Sequence, residues 1–219
     1  MEKRIGFVGC YSHDVILMLT RALGCLGKRV LLRDCNKQHT LHASVPIPDG
    51  IQIERHILEY DGFLFTALET GGEENADYEL ELVDFGMEGI AEELERCTHL
   101  IVITDILPHH IRRLARIGIP TEKVRACVFR DSYDDVCKRE QEMNAFFRCF
   151  PEENVFFLSP DTRDVRNRYV CETLHEYNIG KASGEMREII IHLAGMVCPE
   201  HSEKEIRSCI KNRERRRYR

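Results

Sequence analysis

A short apolar strand that ends in glycine and runs into a helix is a common way to bind an anion. Residues 4–14, RIGFVGCYSHD, have that pattern. The first turn of a helix presents unpaired N–H groups and the positive end of the helix dipole. Ser12 and His13 could add hydrogen bonds there. Asp34 and Asp84 each close an apolar run and could hold a metal ion through water. A set of this kind could recognise a phosphate with its cation. Each residue also has a plainer role: Ser12 as an N-cap, and Asp34 and Asp84 as polar strand ends.

Other reactive patterns are missing. GFVGC supplies only G-x-x-G, short of the dinucleotide fingerprint G-x-G-x-x-G, and no G-x-S-x-G nucleophile turn occurs. An unrelated small-molecule enzyme on a Rossmann-like fold is therefore kept only as a residual alternative. None of the ten cysteines forms a C-x-x-C pair. They read as reduced, buried, small hydrophobes. His109 and His110 are adjacent, so on a helix their side chains diverge. They read as structural or surface residues, and no metal-ligand set emerges.

The elements that position these residues follow from periodicity. Arg4–Cys10 reads as a strand. His13–Gly27 reads as a helix, with apolar residues at spacings of three and four and Gly27 as its stop. A second strand runs through Val30–Arg33, so the chain opens with a βαβ unit. Asp61-Gly62 between ERHILEY and FLFTAL predicts an antiparallel hairpin near residues 54–68, added at the sheet edge. Further strands are expected at 78–84, 99–105, 124–129 and 154–158. Helices are expected at 89–96, 108–117, 134–147, 164–177 and 183–197. The alternation predicts an α/β fold: a doubly wound, mostly parallel sheet with helices on both faces.

Three segments together resemble the MinD/ParA branch of P-loop ATPases. LTRALGCLGKRVLLRDCNKQ (19–38) is similar to that family's first helix and second strand. ELELVDFG (79–86) is similar to the strand whose Asp begins switch II, placing Asp84 and Gly86 there. HLIVITDILPHHIRRL (99–114) is similar to the next strand and helix. VFRD (128–131) and LSPD (158–161) fall where the family contacts the base, which brings Arg130, Pro160 and Asp161 into the implied site. The resemblance runs from residue 4 to about residue 197.

The departures from the family pattern are specific. The family carries K-G-G-V-G-K-T-T between its first strand and helix; here the connection is GCYSHD (9–14). Ser12 stands where the phosphate-contacting Lys belongs, His13 where the magnesium-contacting Thr belongs, and Tyr11 where a Gly belongs. A phosphate cradle needs glycines to turn successive N–H groups inward, and a Lys to neutralise charge. Asn36 replaces the second Asp of the family's D-x-D, removing a carboxylate that could orient water. The resemblance implies ATP or ADP with magnesium as cofactors, but the changed loop argues against turnover. The expected role is a catalytically degenerate interaction or localisation scaffold, as in TadZ-like members of pilus and secretion machinery. The alternative is a nucleotide-binding switch with an altered, Lys-less phosphate loop, built on Ser12, His13, Asp34, Asn36, Asp84, Gly86, Arg130, Pro160 and Asp161.

Bulk properties set the boundaries. The 219 residues are 43% hydrophobic and 31% charged, enough for one globular core. Residues 1–200 read as the α/β domain and 201–219 as a basic C-terminal helix or tail. No apolar run reaches the roughly 18 residues that span a bilayer, and no export signal opens the chain, so a cytoplasmic location is expected. The net charge is −6, yet the last seventeen residues hold eight Lys/Arg and three Asp/Glu. Such a tail suits an acidic protein, anionic lipid or nucleic acid. Its apolar stripe, Ile206, Cys209 and Ile210, is narrow for membrane insertion. A protein partner is expected, and the resemblance adds a homodimer.

Overall fold

The computed structural model describes residues 3–52, 56–67, 76–88, 91–133, 150 and 152–217. Their strands are β1 (Lys3–Gly9), β2 (Val30–Asp34), β3 (Leu58–Tyr60), β4 (Phe63–Thr66), β5 (Leu80–Asp84), β6 (His99–Asp105), β7 (Val124–Arg130) and β8 (Val155–Phe157). The helices are α1 (His13–Cys25), α2 (Thr40–Ser44), α3 (Ala91–Glu95), α4 (Pro108–Leu114), α5 (Thr162–Leu174), α6 (Gly184–Val197) and α7 (Glu203–Arg217). The strands form one sheet in the order β3-β4-β2-β5-β1-β6-β7-β8. Among the described residues every pairing is parallel except β3 with β4. The α/β class and the mostly parallel sheet are as expected. β1 and β2 are parallel but not neighbours, because β5 lies between them.

Alternation along the strands builds two cores. Ile5 and Phe7 of β1, with Ile101 and Ile103 of β6, face the layer of α1, α6 and α7. Val8, Leu100 and Val102 point the other way, into a core that Leu94 of α3 and Leu114 of α4 help to close. Successive strand side chains face opposite sides, so a sheet covered on both faces reads as nearly continuous apolar runs.

Local chemistry fixes the element ends. Past α1, Gly27 adopts φ +81, its N–H donates to the Gly24 carbonyl, and Lys28 N–H donates to Leu23, which is a Schellman stop. In the hairpin, Asp61 and Gly62 both have positive φ (46° and 83°), as a two-residue type I′ turn requires. The expected hairpin is present as β3 and β4; residues 53–55 and 68–75 lie outside the described residues, as does the helix expected at 134–147. α4 stops at Leu114, short of the expected Ile117. α5 starts two residues early because Asp161 caps it, its carboxylate accepting from Arg163 N–H.

The basic C-terminal stretch begins as α7, whose Ile206 and Ile210 are buried in the first core. Its apolar stripe is thus already covered by α1 and α6. No helix among the described residues is long and apolar enough to cross a membrane. The described cysteines are free thiols; Cys97, Cys127, Cys171 and Cys198 are buried, and Cys35 is exposed. Burial pushes the Cys97 thiol up to about 12.

Candidate functional site

Brought together at the carboxyl ends of the parallel strands are the β1–α1 loop, the ends of β2, β5 and β6, and the first turn of α1. Ligands of open α/β sheets bind at this edge, where strand order reverses. Gly9 makes the junction feasible. Its φ is +136, and a Cβ there would come 1.7 Å from the Ile103 carbonyl oxygen. β1 can approach β6 this closely only with glycine at its end.

Asp84 is the hub. Its carboxylate is fully buried and accepts four hydrogen bonds. Ser12 Oγ and Gly86 N–H donate to Oδ1, each at 3.0 Å. Asn36 Nδ2 and Thr40 Oγ1 donate to Oδ2, each at 3.3 Å. Gly86 has φ +55, and a Cβ on it would lie 2.5 Å from Asn36 Oδ1, so glycine lets Asn36 reach Asp84. Asp34 joins from β2, opposite Asp84 in the parallel register. It accepts from Asn36 N–H (3.0 Å) and His42 N–H (2.8 Å). Burial and the neighbouring Asp84 push Asp34 up to about 6. Burial also raises Asp84, opposed by the donors from Gly86, Asn36 and Ser12.

A second centre is the ion pair of Arg130 and Asp14. Arg130 closes β7 and Asp14 lies in the first turn of α1; both are out of water. The guanidinium forks onto the carboxylate, Nη1 to Oδ1 at 2.5 Å and Nη2 to Oδ2 at 2.8 Å. Nη1 also donates to the carbonyl of Tyr11, which carries φ +56. Arg130 outweighs the cost of burial and holds the Asp14 carboxyl below its ordinary value. In the same loop Gly9 N–H donates to Gly86 and Cys10 N–H to Ile103, so the strand ends and the loop are tied together.

Outside these centres lies a cleft of about 630 Å³, lined by Tyr11, Asp105, Leu107, Tyr133, Arg168 and Tyr169 among others. The Arg168 guanidinium sits 4.9 Å over the Tyr11 ring, and Tyr133 and Tyr169 are exposed. His110 Nδ1 approaches Asp105 Oδ1 at 2.7 Å, while His109 is exposed.

The residues singled out from sequence separate into groups. Ser12, Asp34, Asn36, Asp84 and Gly86 form one hydrogen-bonded network. Ser12 does occupy the N-cap position of α1, but its hydroxyl serves Asp84 and makes no cap bond. His13 is buried elsewhere, with Nε2 3.1 Å from the Glu172 carboxylate of α5. Arg130 is turned to Asp14. Pro160 is exposed, and Asp161 caps α5 and pairs with the exposed Arg163, which holds it near 2. Thr40, Asp14, Cys10, Asp105 and Arg168 were not picked out. Asp14, one residue beyond His13 in GCYSHD, was the nearest to being legible.

No family model matches the chain, and no curated protein matches it in sequence. Solved structures do match, and the fold is that of the MinD/ParA-type P-loop ATPases. The cell-division protein MinD from Aquifex aeolicus is 13% identical, with a TM-score of 0.62 over 91% of this chain and 98% of that one. pNOB8 ParA is 13% identical, with a TM-score of 0.53 over 88% and 98%. Cobyrinic acid a,c-diamide synthase from Mycobacterium smegmatis, with bound ADP and magnesium, is 14% identical, with a TM-score of 0.53 over 92% and 97%. At these identities the likeness is one of fold.

Proposed function

We propose that this chain is a non-hydrolysing MinD/ParA-type body that works as an interaction or localisation scaffold. The observation that carries this reading is the fourfold hydrogen bonding of Asp84 by Ser12, Gly86, Asn36 and Thr40. Groups that would otherwise meet a phosphate and its cation are engaged with the protein's own carboxylate. The helix N-terminus is also met by an internal anion, because Asp14 lies in its first turn. The loop GCYSHD offers no Lys to offset an added triphosphate. Function is then carried by surfaces, since a fold does not fix an activity. MinD has been seen in complex with MinC, and ParA on nonspecific DNA. By analogy the partner is a protein of a surface-organised assembly, with pilus or secretion machinery as the setting and a homodimer as its working unit. The basic end of the chain supplies a contact to an acidic protein, anionic lipid or nucleic acid.

The second reading is a nucleotide switch, favoured by the tyrosine-lined cleft, whose aromatic rings could stack on a base. Thermal unfolding of the full chain with and without ATP, ADP and magnesium separates the two. The scaffold reading expects no change in midpoint at millimolar ligand. Binding at a hundredfold excess over Kd would add about 2.7 kcal/mol and favour the switch. Magnesium-dependent ATP turnover abolished by Asp84→Ala would refute the scaffold reading.

A further inference from the structure

A second cluster lies on the same sheet edge, outside the Asp84 network. Cys10 follows the last residue of β1, Asp105 closes β6, and His110 lies in the first turn of α4. β1 and β6 are paired, Gly9 opposite Ile103, and Cys10 N–H donates to the Ile103 carbonyl at 2.8 Å. This fixes Cys10 beside the end of β6. Asp105 Oδ1 accepts from Leu107 N–H at 2.9 Å, which orients the carboxylate at the turn into α4. The donor atoms of the three residues all lie within 4.8 Å of one another.

Two chemistries could use a Cys, a His and an Asp in contact, and the geometry separates them. In a nucleophile relay the thiol meets one ring nitrogen and the carboxylate holds the other. Here Cys10 Sγ (3.8 Å) and Asp105 (2.7 and 2.9 Å) both address Nδ1 of His110. The three side chains converge on one point instead of forming a chain. Convergence of soft and hard donors suits a cation. Tetrahedral zinc bonds of about 2.3 Å to sulfur and about 2.0–2.1 Å to nitrogen separate those two ligand atoms by about 3.6 Å. The observed 3.8 Å fits that edge. The edge from Nδ1 to the carboxylate would open by about 0.4–0.8 Å, according to which oxygen binds, as the ion replaces the shared proton. A thiolate and a carboxylate also neutralise a dication.

We propose that Cys10, Asp105 and His110 form a three-ligand site for a divalent cation of the zinc class. The Cys10 thiol donates to Thr104 Oγ1 at 3.8 Å, and the Thr104 hydroxyl donates to the Asp105 carbonyl at 3.1 Å, so Thr104 links the two ligand positions from behind. Asp105 also lines the tyrosine-rich cleft, so the fourth position opens to water or to an anionic ligand entering there.

Cobalt(II) is the probe, because a thiolate ligand gives it a near-ultraviolet charge-transfer band. The full chain, stripped with a chelator, is titrated with cobalt and then with zinc. One equivalent should bind with that band, and zinc should displace it. Cys10→Ser should abolish the band. Asp105→Asn and His110→Ala should each weaken binding by at least the 10–100-fold typical of losing even an outer partner, that is, about tenfold or more. Cys35→Ser, at an exposed thiol, should leave the band intact. Circular dichroism reports the fold; should Cys10→Ser unfold, Asp105→Asn, which keeps the side-chain shape, decides by its affinity. A band that survives in Cys10→Ser, or affinity unchanged in Asp105→Asn, overturns the site.

Discussion

Arg130 and Asp14, 116 positions apart in the chain, form a bidentate ion pair with both side chains out of water. The pair ties the end of β7 to the first turn of α1. A third bond from the same guanidinium, to Tyr11, holds the intervening loop with its residue at positive φ.

Breaking that pair from one side strands a buried charge. Asp14→Asn should destabilise the chain by about 3–5 kcal/mol, seen as a lower urea midpoint. Replacing both partners, Asp14→Leu with Arg130→Met, should cost less than either single change, apart from about 1–3 kcal/mol for the Tyr11 carbonyl left without its donor. Single variants within 1 kcal/mol of the parent would mean that the pair is open to water in solution.

Asp34 predicts a pH dependence of unusual sign. Its carboxyl is raised to about 6 in the folded chain, against about 3.9 when unfolded. Between those values the native state holds the extra proton, so stability falls as pH rises from about 4 to about 6. The full effect is about 3 kcal/mol for this one group. Asp84, raised in the same direction, adds to it. Unfolding curves at pH 4.5 and 7 should therefore differ more in the parent than in Asp34→Asn. An equal slope in the two proteins would show that Asp34 is ionised normally.

Much of this was readable in the sequence because it rests on local rules. The α1 pattern, the Gly27 stop and the Asp61-Gly62 turn depend on neighbours a few residues apart, and each appears where expected. Ser12 could be picked out as an N-cap candidate and Asp84 as a strand end, while Asn36 and Gly86 are legible only through the resemblance to the MinD/ParA pattern. What the sequence could not reveal is which polar groups meet across strands. The resemblance places Arg130 where the family contacts the base, whereas its ion pair with Asp14, 116 positions away, has no signal in the sequence. Cys10, Asp105 and His110 come from three segments that meet only after β1 pairs with β6. His109 and His110 read alike in the sequence as structural or surface residues, yet only His110 turns toward the strand ends while His109 is exposed.

Two glycines should differ sharply on gaining a methyl. Gly9→Ala drives a Cβ into the Ile103 carbonyl, a backbone atom that cannot move without breaking the sheet, and should prevent soluble folding. Gly86→Ala meets the side chain of Asn36, which can swing away at the expense of its bond to Asp84. That change should cost about 1–3 kcal/mol and leave a folded protein. Thermal midpoints and soluble yield measure both; equal tolerance would contradict the tight β1–β6 junction.

α7 should divide into a structural half and a basic half. Ile206→Ala should cost about 2–5 kcal/mol, as expected for a buried isoleucine in the first core. Truncation after Asn212 should leave stability within about 0.5 kcal/mol while weakening attraction to anionic vesicles or nucleic acid, an effect that fades with salt. Chemical denaturation and co-sedimentation at two ionic strengths make the comparison. Vesicle or nucleic-acid binding unchanged by the truncation would remove the tail from any anion-binding role.

The position of β1 bears on how the molecule comes to be made. It lies near the middle of the sheet, yet its pairing partners begin only at Leu80 and His99. At ribosomal speeds of about 5–20 residues per second, its apolar stretch waits roughly 4–15 s for a neighbour. During synthesis that strand is a bare, sticky edge on both sides, and a chaperone able to cover it should raise the yield of folded chain.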